Sequence, residues 1–388
     1  MADPGTITAE LAFARAEEVS EDEGGLLRAP TIALAGEQVA EAFDRRRCSI
    51  TDLSRGTLRP ALWTHGLDVA ALAEHGGLQA ALERVRRAGR LDEGEAAAIR
   101  GALRFASLRL ASGGRLRILH IAREGFFMRR ALPGGAARSL GPGEHDAAIA
   151  VHVDQDVDGT PLRQLLGGLA PRLFRHDAPL HHNHRGRLVL VNLWIGLDQV
   201  TRPLALMDGQ SLDRRAHQVR YGLPLPGIID GRRPGMEVND IWKVLHDRGQ
   251  RWYFDSEMDG RRAWVFDTLS TPHGSFVIGG EGRAAARREA VVAAAAAIER
   301  GALAEARAAL EREVDGAIAG EAAATGSLAG AIATVERLIA EGQGILAAGA
   351  ATAAGEWARR ASEAAERLVR KSIEMRAVAL LGRPAEGE

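Results

Sequence analysis

The sequence contains a single cysteine, Cys48, among its 388 residues. One cysteine cannot form an internal disulfide or a cysteine-based zinc site, so any bound metal must be held by His, Asp or Glu. The sequence also lacks a run of eighteen apolar residues, and residues 1–18 are too acidic for a signal or transit peptide. These absences predict a soluble, cytoplasmic protein that does not interact with a membrane.

Neither positive nor negative charge is in excess: the sequence has 50 basic and 51 acidic residues, which gives a net charge of −1. A general nucleic-acid-binding protein would normally present a net basic surface. We therefore expect no nucleic-acid partner. The length allows two or three domains, or one large domain with an insertion.

The composition changes sharply near residue 279 and again near residue 368. Between 280 and 367 the chain is dominated by Ala, Glu and Arg, and apolar residues recur at helical intervals. This pattern predicts two or three helices, with breaks near Gly320, Thr325 and Gly355. Low-complexity disorder is the alternative interpretation of the same composition.

Outside this block, a helical stretch over about 80–106 is followed by short runs that are typical of strands, each bounded by Gly, Pro, Asp or Asn. These runs are RLRILHIAR (115–123), AAIAVHVDQD (147–156), RLVLVNLWIGL (187–197), RWYFD (251–255), RAWVFDTL (262–269), HGSFVI (273–278) and RKSIEMRAVALL (370–381). The pattern predicts an α+β protein: one β-rich domain whose last strand is separated from the others by a helical insertion. Such an insertion is tolerated because the free-energy cost of closing a loop grows slowly with its length.

Strand alternation places His152 and Asp154 on one face of the run 147–156, opposite the apolar Val151 and Val153. His273 opens a later strand. Two imidazoles and a carboxylate in the order His-x-Asp…His form the facial set that binds ferrous iron and leaves coordination positions open. A solvent-exposed strand that carries an unrelated His and Asp is the alternative interpretation.

The final strand-like run carries Arg370 and Ser372 on one face. A planar guanidinium beside a hydroxyl suits a carboxylate, such as the distal carboxylate of 2-oxoglutarate. The alternative interpretation is a solvent-exposed strand end beside an ordinary salt bridge. Asn192, which shares a strand face with Trp194, is a further candidate for contact with substrate or co-substrate.

Several segments together resemble one family, the non-haem iron, 2-oxoglutarate-type oxygenases that include gibberellin-desaturase-like and cephalosporin 7-alpha-hydroxylase-like proteins. The segments are SITDLSRGTLRPALWTHGLDV (49–69), VHVDQD (151–156), LVLVNLWIGL (188–197), TRPLALMDGQSL (201–212), RWYFDSEM (251–258), TPHGSF (271–276) and RKSIEMRAVAL (370–380). The chain departs from the family at Ile195 and Gly196, where members usually have arginine and proline, and in the helical block, which the usual member lacks.

The resemblance implies a double-stranded β-helix of jelly-roll or cupin-like type with flanking helices. It implies that His152, Asp154 and His273 are the catalytic iron ligands and that Arg370 and Ser372 bind 2-oxoglutarate. The implied cofactors are Fe(II), 2-oxoglutarate and O2. The implied reaction acts on a small molecule of secondary metabolism, by default a hydroxylation through a ferryl intermediate, with desaturation or ring formation as other outcomes.

Two other functions remain open from the sequence. One is a non-haem iron oxidase or dioxygenase that does not use 2-oxoglutarate, and the other is a non-catalytic binding protein built on a relic barrel. We expect an oxygenase core over 1–278 with an N-terminal region of helices and strands, a helical insertion over 279–367 that acts as a lid or forms a homodimer, and a last core strand and tail over 368–388. The histidines of LHHNHRGR (180–187) resemble a metal cluster but are expected in a polar turn, and His120 is expected at an ordinary sheet position.

Overall fold

The fold is built from two antiparallel-rich β-sheets and a helical insertion. The computed structural model describes residues 5–21, 27–29, 43–122, 126–134, 150–154, 187–198, 201–224, 238–312, 322–324 and 326–382. Strands and helices are numbered in chain order.

The first sheet has ten strands. In spatial order they are β1 (Thr6–Phe13), β4 (Asp44–Asp52), β14 (Trp252–Phe254), β11 (Leu204–Met207), β16 (His273–Ser275), β9 (His152–Val153), β13 (Val238–Val244), β12 (Gln218–Pro224), β3 (Leu27–Arg28) and β2 (Ser20–Glu21). The second sheet has seven strands. In spatial order they are β10 (Leu188–Asp198), β15 (Arg262–Asp267), β5 (Leu67–Ala71), β6 (Ser107–Leu110), β7 (Arg115–Ile121), β17 (Arg370–Gly382) and β8 (Phe127–Ala131).

A double-stranded β-helix forms the centre of the molecule. Strands β14, β11, β16 and β9 pair antiparallel in the first sheet, and strands β15, β10, β17 and β7 pair antiparallel in the second. Apolar side chains of both sets, including Leu206, Tyr253, Trp194 and Trp264, pack into one cluster. The expected α+β double-stranded β-helix with flanking helices is therefore confirmed.

The last strand, β17, lies in the interior of the second sheet. One edge pairs with β10 from Leu188↔Leu380 to Asp198↔Lys371, and the other edge pairs first with β8 and then with β7. Because β10 also pairs with β15, the additional β10–β17 pairing closes this sheet on itself. A strand that follows the insertion thus completes the core, as the sequence pattern predicts.

Side-chain alternation gives β10 and β17 two different faces. Ile195 of β10 and Ile373 of β17 belong to the apolar core that also contains Leu82 and Ile99. These last two residues lie on α2 (Gly76–Ala88) and α3 (Glu93–Leu103). The opposite face, which carries Asn192, is turned toward the first sheet, and the candidate site forms there.

The other described α-helices are α1 (Leu62–His65), α4 (Arg214–His217), α5 (Glu281–Glu299), α6 (Leu303–Glu311), α7 (Gly326–Ala347) and α8 (Ala351–Glu366). The last four lie in the predicted helical block, so the expectation of two or three helices is wrong by at least one. Two of the three breaks between these helices are at Gly301 and Gly349, whose positive φ angles of 74° and 68° suit helix ends.

The break predicted at Gly355 is also wrong, because this glycine lies inside α8. A glycine costs a helix only about 1 kcal/mol relative to alanine, and the nearby Trp357 is buried in the apolar cluster of the insertion. Gly320 and Thr325 lie outside the described residues.

The helical insertion has an apolar cluster of its own. Trp357 of α8 is fully buried, and its Nε1 donates to the Leu338 carbonyl of α7 at 2.6 Å. Gly342 of α7 lies against the same ring, and a Cβ atom at this position would be 2.5 Å from it. Among the described residues, no helix combines the length and the apolar character needed to cross a membrane.

Candidate metal centre

Two histidines from adjacent strands lie side by side in the cleft between the sheets. His152 of β9 and His273 of β16 are direct register partners, and directly opposite residues point to the same face of a sheet. Their ring centroids are 4.3 Å apart. The polar face that alternation predicts for β9 is therefore the face that lines the cleft. Val151 and Val153, on the other face, are buried as well.

Backbone carbonyls fix the tautomer of both rings. His152 Nδ1 lies 2.8 Å from the Ala150 carbonyl oxygen, and His273 Nδ1 lies 3.1 Å from that of Thr271. A carbonyl can only accept a hydrogen bond, so each Nδ1 carries a hydrogen, and in the neutral ring Nε2 then presents the lone pair. This is the form of histidine that binds a metal ion.

Asp154 completes a three-residue group that could hold a metal ion. Its Oδ1 atom lies 3.2 Å from His152 Nε2 and 3.9 Å from His273 Nε2. The three ligand atoms all lie within 4.8 Å of one another. Two neutral imidazoles and one carboxylate fit a divalent cation such as Fe(II).

The second oxygen of Asp154 is held by the opposite sheet. Asn192 Nδ2 donates a hydrogen bond to Oδ2, and Arg376 Nη2 lies 3.6 Å from the same atom. Thr268 Oγ1 donates to Asn192 Oδ1 at 3.0 Å, which fixes the orientation of the amide. Asn192 and Arg376 are register partners on β10 and β17, so the pairing of these strands aligns both groups on one carboxylate oxygen.

The electrostatics of the cleft favour an ionised Asp154 and a neutral His273. Burial acts to raise the pKa of Asp154, but nearby positive charge, above all that of the Arg376 guanidinium, holds this pKa well below its ordinary value. Burial, with His152 nearby, lowers the pKa of His273 to about 4. A metal ion binds the ionised form of a carboxylate and the neutral form of an imidazole, so both residues favour the form that a metal requires.

Aromatic side chains shield one side of the triad. The Phe266 ring lies 4.7 Å from the His273 ring. Phe266 packs in the apolar cluster between the sheets with Trp194 and Trp264. These rings exclude water from that side of the site.

Arg370 and Ser372 are buried further along β17, on the same face as Arg376. The Arg370 guanidinium lies 5.7 Å from the centre of the Trp194 ring, and its Nη1 donates to the Arg202 carbonyl at 2.7 Å. Ser372 is fully buried, and its Oγ has no hydrogen-bond partner among the described residues. The buried Trp194 Nε1 has none there either.

The predicted residues thus fall into two groups that β10 connects. Asn192 contacts Asp154 of the triad, while Trp194, two residues later on the same face, contacts Arg370. Residues two apart in a strand are separated by about 7 Å. The structure shows both amide atoms of Asn192 bonded to protein, and its expected contact with substrate or co-substrate stays a prediction.

Sequence reasoning missed Arg376, Thr268 and Phe266. Arg376 could have been found, because it follows Arg370 by six residues and an even spacing keeps a strand residue on the same face. The histidines of 180–187 that were set aside lie outside the described residues. His120 occupies an exposed position on β7, as expected.

Comparisons with known proteins give limited matches. Residues 126–293, less than half of the chain, match a family model described as an oxidoreductase/YMDC permease-like domain. No curated protein matches significantly. The solved structure of the iron and alpha-ketoglutarate-dependent endoperoxidase NvfI aligns with a TM-score of 0.47 at 12% identity over 98% of this chain and 100% of that chain. A tryptophan-to-phenylalanine variant of NvfI aligns with a TM-score of 0.49 at 13% identity over 99% and 100%.

Proposed function

We propose that the protein is an Fe(II)- and 2-oxoglutarate-dependent oxygenase that acts on a small molecule. The observation that carries the proposal is the convergence of His152 Nε2, His273 Nε2 and Asp154 Oδ1 in a buried cleft. The Nδ1 atoms of both histidines and Oδ2 of Asp154 are engaged by protein groups, and the remaining ligand atoms of the three residues lie within 4.8 Å of one another.

In this proposal His152, Asp154 and His273 would hold Fe(II), and its remaining coordination positions would be open to co-substrate and O2. The bound iron supplies the oxidation, in which 2-oxoglutarate and O2 give succinate and CO2 while the substrate loses two electrons, by default through hydroxylation. The protein contributes the ligand geometry. It also excludes water on the side of Phe266 and Trp264, which limits side reactions of the oxidant.

Arg370 and Ser372 are proposed to bind the distal carboxylate of 2-oxoglutarate. Support comes from the burial of Arg370, which is 1% exposed, and from the Ser372 hydroxyl, which has no hydrogen-bond partner in the part of the chain that the structure describes. A buried polar group without a partner costs free energy, so a ligand oxygen at Ser372 Oγ would remove an unfavourable feature of the free protein. Asn192 contacts Asp154 and Trp194 contacts Arg370, so a co-substrate that bridges the iron and Arg370 would lie along two successive positions of this face of β10.

The experiment is the formation of succinate from 2-oxoglutarate in the presence of Fe(II) and air, without added substrate. The wild-type protein should produce succinate slowly, and His152→Ala should abolish the reaction because the iron loses a ligand. His120→Ala is the matched control, since His120 is exposed on β7.

Stoichiometric iron without succinate would contradict the proposal and favour an iron enzyme that does not use 2-oxoglutarate. Protein purified with iron present that retains no stoichiometric iron would favour a binding protein. Substrate identity and a role in secondary metabolism belong to the proposal, and analysis of products from candidate substrates tests them.

A further inference from the structure

Glu281 at the start of the helical insertion is a fully buried carboxylate. Its Oε1 accepts hydrogen bonds from the backbone N–H of Arg202 at 2.6 Å and of Ile278 at 3.0 Å, and its Oε2 accepts one from Gly134 at 3.0 Å. None of these donors belongs to the helix that Glu281 begins. The side chain therefore does not cap its own helix but joins three separate segments of the chain.

Arg202 occupies a turn that is strained and buried. Its φ angle is +50°, in the left-handed region that side chains other than glycine rarely adopt, and its exposure is 3%. Such a conformation persists only where the surroundings hold it, and it is often found at ligand sites. At Arg202 the Glu281 carboxylate holds the N–H, and the carbonyl accepts the hydrogen bond from Arg370 Nη1.

The chain directly after the insertion also contacts the turn that contains Arg202. Thr201 Oγ1 donates to the Leu368 carbonyl at 2.9 Å, two residues before Arg370. Both ends of the insertion, Glu281 and Leu368, thus contact the turn 201–202, and this turn contacts the Arg370 guanidinium. Without the turn, Arg370 Nη1 would lose the carbonyl that fixes its position.

We propose that Glu281 is a positioning residue for the co-substrate: it holds the Arg202 backbone so that its carbonyl directs the Arg370 guanidinium toward the distal carboxylate of 2-oxoglutarate. The inference rests on the proposed function. It gives the helical insertion a role in co-substrate binding that is separate from a lid or a dimer interface.

A buried carboxylate is costly, which argues that its position matters. Burial raises the pKa of Glu281, while the three backbone N–H groups and the nearby Arg202 guanidinium act in the opposite direction. A charged group withdrawn from water needs such compensation. An apolar side chain could fill the same space at lower cost if packing were its only purpose.

The test measures the dissociation constant of 2-oxoglutarate for the anaerobic Fe(II) protein, and separately the dissociation constant of Fe(II). Glu281→Ala removes all three acceptor contacts. We expect the 2-oxoglutarate constant to rise about tenfold, the lower end of the range for groups that orient ligands indirectly, while the Fe(II) constant is unchanged. Glu281→Gln keeps one oxygen for Arg202 and Ile278, so it should restore affinity to near that of the wild type.

Two controls separate positioning from general stability. Trp357→Phe removes a buried hydrogen bond from the core of the insertion and should lower the melting temperature without changing either dissociation constant. Glu289→Gln alters an exposed carboxylate on the same helix and should change nothing. If Glu281→Ala does not fold, Glu281→Asp replaces it, because the side chain shortened by one methylene cannot reach both Arg202 and Ile278.

The possible results are distinct. Equal 2-oxoglutarate affinity in the wild type and in Glu281→Ala or Glu281→Asp would overturn the inference while leaving the proposed function intact. A parallel loss of affinity in Trp357→Phe would also overturn it, because it would indicate a merely structural role. A wild-type protein that binds Fe(II) but no 2-oxoglutarate would instead overturn the proposed function.

Discussion

The two oxygens of Asp154 have different partners, and this difference defines the site at the residue scale. Oδ1 faces the two imidazoles, whereas Oδ2 is engaged by Asn192 and Arg376 from the other sheet. A carboxylate held in this way offers a metal one oxygen only. Removing a group that orients a metal ligand in this manner typically weakens metal binding by about 10- to 100-fold.

We therefore predict that Arg376→Met weakens Fe(II) binding by about 10- to 100-fold. Methionine retains much of the side-chain volume but removes the positive charge near Oδ2. Anaerobic metal competition measures the effect, and Arg45→Met, at an exposed position on β4, is the control. Unchanged metal affinity in Arg376→Met would show that the ion pair does not orient Asp154.

Asn192→Ala should weaken Fe(II) binding by a similar factor, because it removes the hydrogen bond to Oδ2. If Asn192 also contacts the co-substrate, the dissociation constant of 2-oxoglutarate should rise as well. Titration of both ligands against the same protein separates the two effects. No change in either constant would remove Asn192 from the site.

The triad itself could be predicted at this scale, but its supporting groups could not. His152 and Asp154 follow from strand alternation, and His273 follows from its place at the start of a strand. Thr268 and Phe266 give no such signal, since threonine and phenylalanine are common in any sheet and only the folded register brings them to Asn192 and His273.

At the scale of elements, strands with a clear apolar pattern were predictable and mixed ones were not. β10 and β17 stand out in the sequence because most of their residues are apolar. β4 carries three consecutive arginines, Arg45 to Arg47, and only part of it faces the core. Its strand conformation depends on pairing with β1 and β14, which are distant in sequence.

The close contact of α7 and α8 gives a prediction about stability. Gly342→Ala should lower the free energy of unfolding by about 1–3 kcal/mol, because the added Cβ would lie 2.5 Å from the Trp357 ring and overpack the insertion. Urea unfolding followed by circular dichroism measures the change.

Gly344→Ala on the same helix is the matched control. A Cβ at Gly344 meets nothing within 4 Å, so alanine should raise the free energy of unfolding by up to about 1 kcal/mol through its higher helix propensity. The same sign of effect at both glycines would contradict the packing observed around Trp357.

At the scale of the whole molecule, the double-stranded β-helix brings together residues that are far apart in the chain. His152, His273 and Arg376 come from β9, β16 and β17, and the helical insertion separates the last two. Composition alone indicates a helical block, but the contacts of this block with the turn 201–202 arise only in three dimensions. Its part in a homodimer stays a prediction.

Deletion of 282–366 with a short linker tests the homodimer. If the insertion forms the interface, light scattering should show a dimeric wild type and a monomeric deletion variant. The deletion retains Glu281, so the contact with Arg202 can persist. An identical oligomeric state in the two proteins would refute the interface.

Metal binding should stabilise the folded protein as a whole. A ligand that binds only the native state at 100 times its dissociation constant adds about 2.7 kcal/mol. Anaerobic Fe(II) or Mn(II) should therefore raise the melting temperature of the wild type but not of Asp154→Ala. Equal shifts in both proteins would place the metal elsewhere.

The most direct test of the central claim is the visible absorption of the anaerobic Fe(II) protein during titration with 2-oxoglutarate. We predict a weak charge-transfer band that saturates at one equivalent in the wild type and in His120→Ala, and that is absent in His152→Ala. A wild type without the band, or a His152→Ala protein with an undiminished band, would contradict an iron site formed by His152, Asp154 and His273.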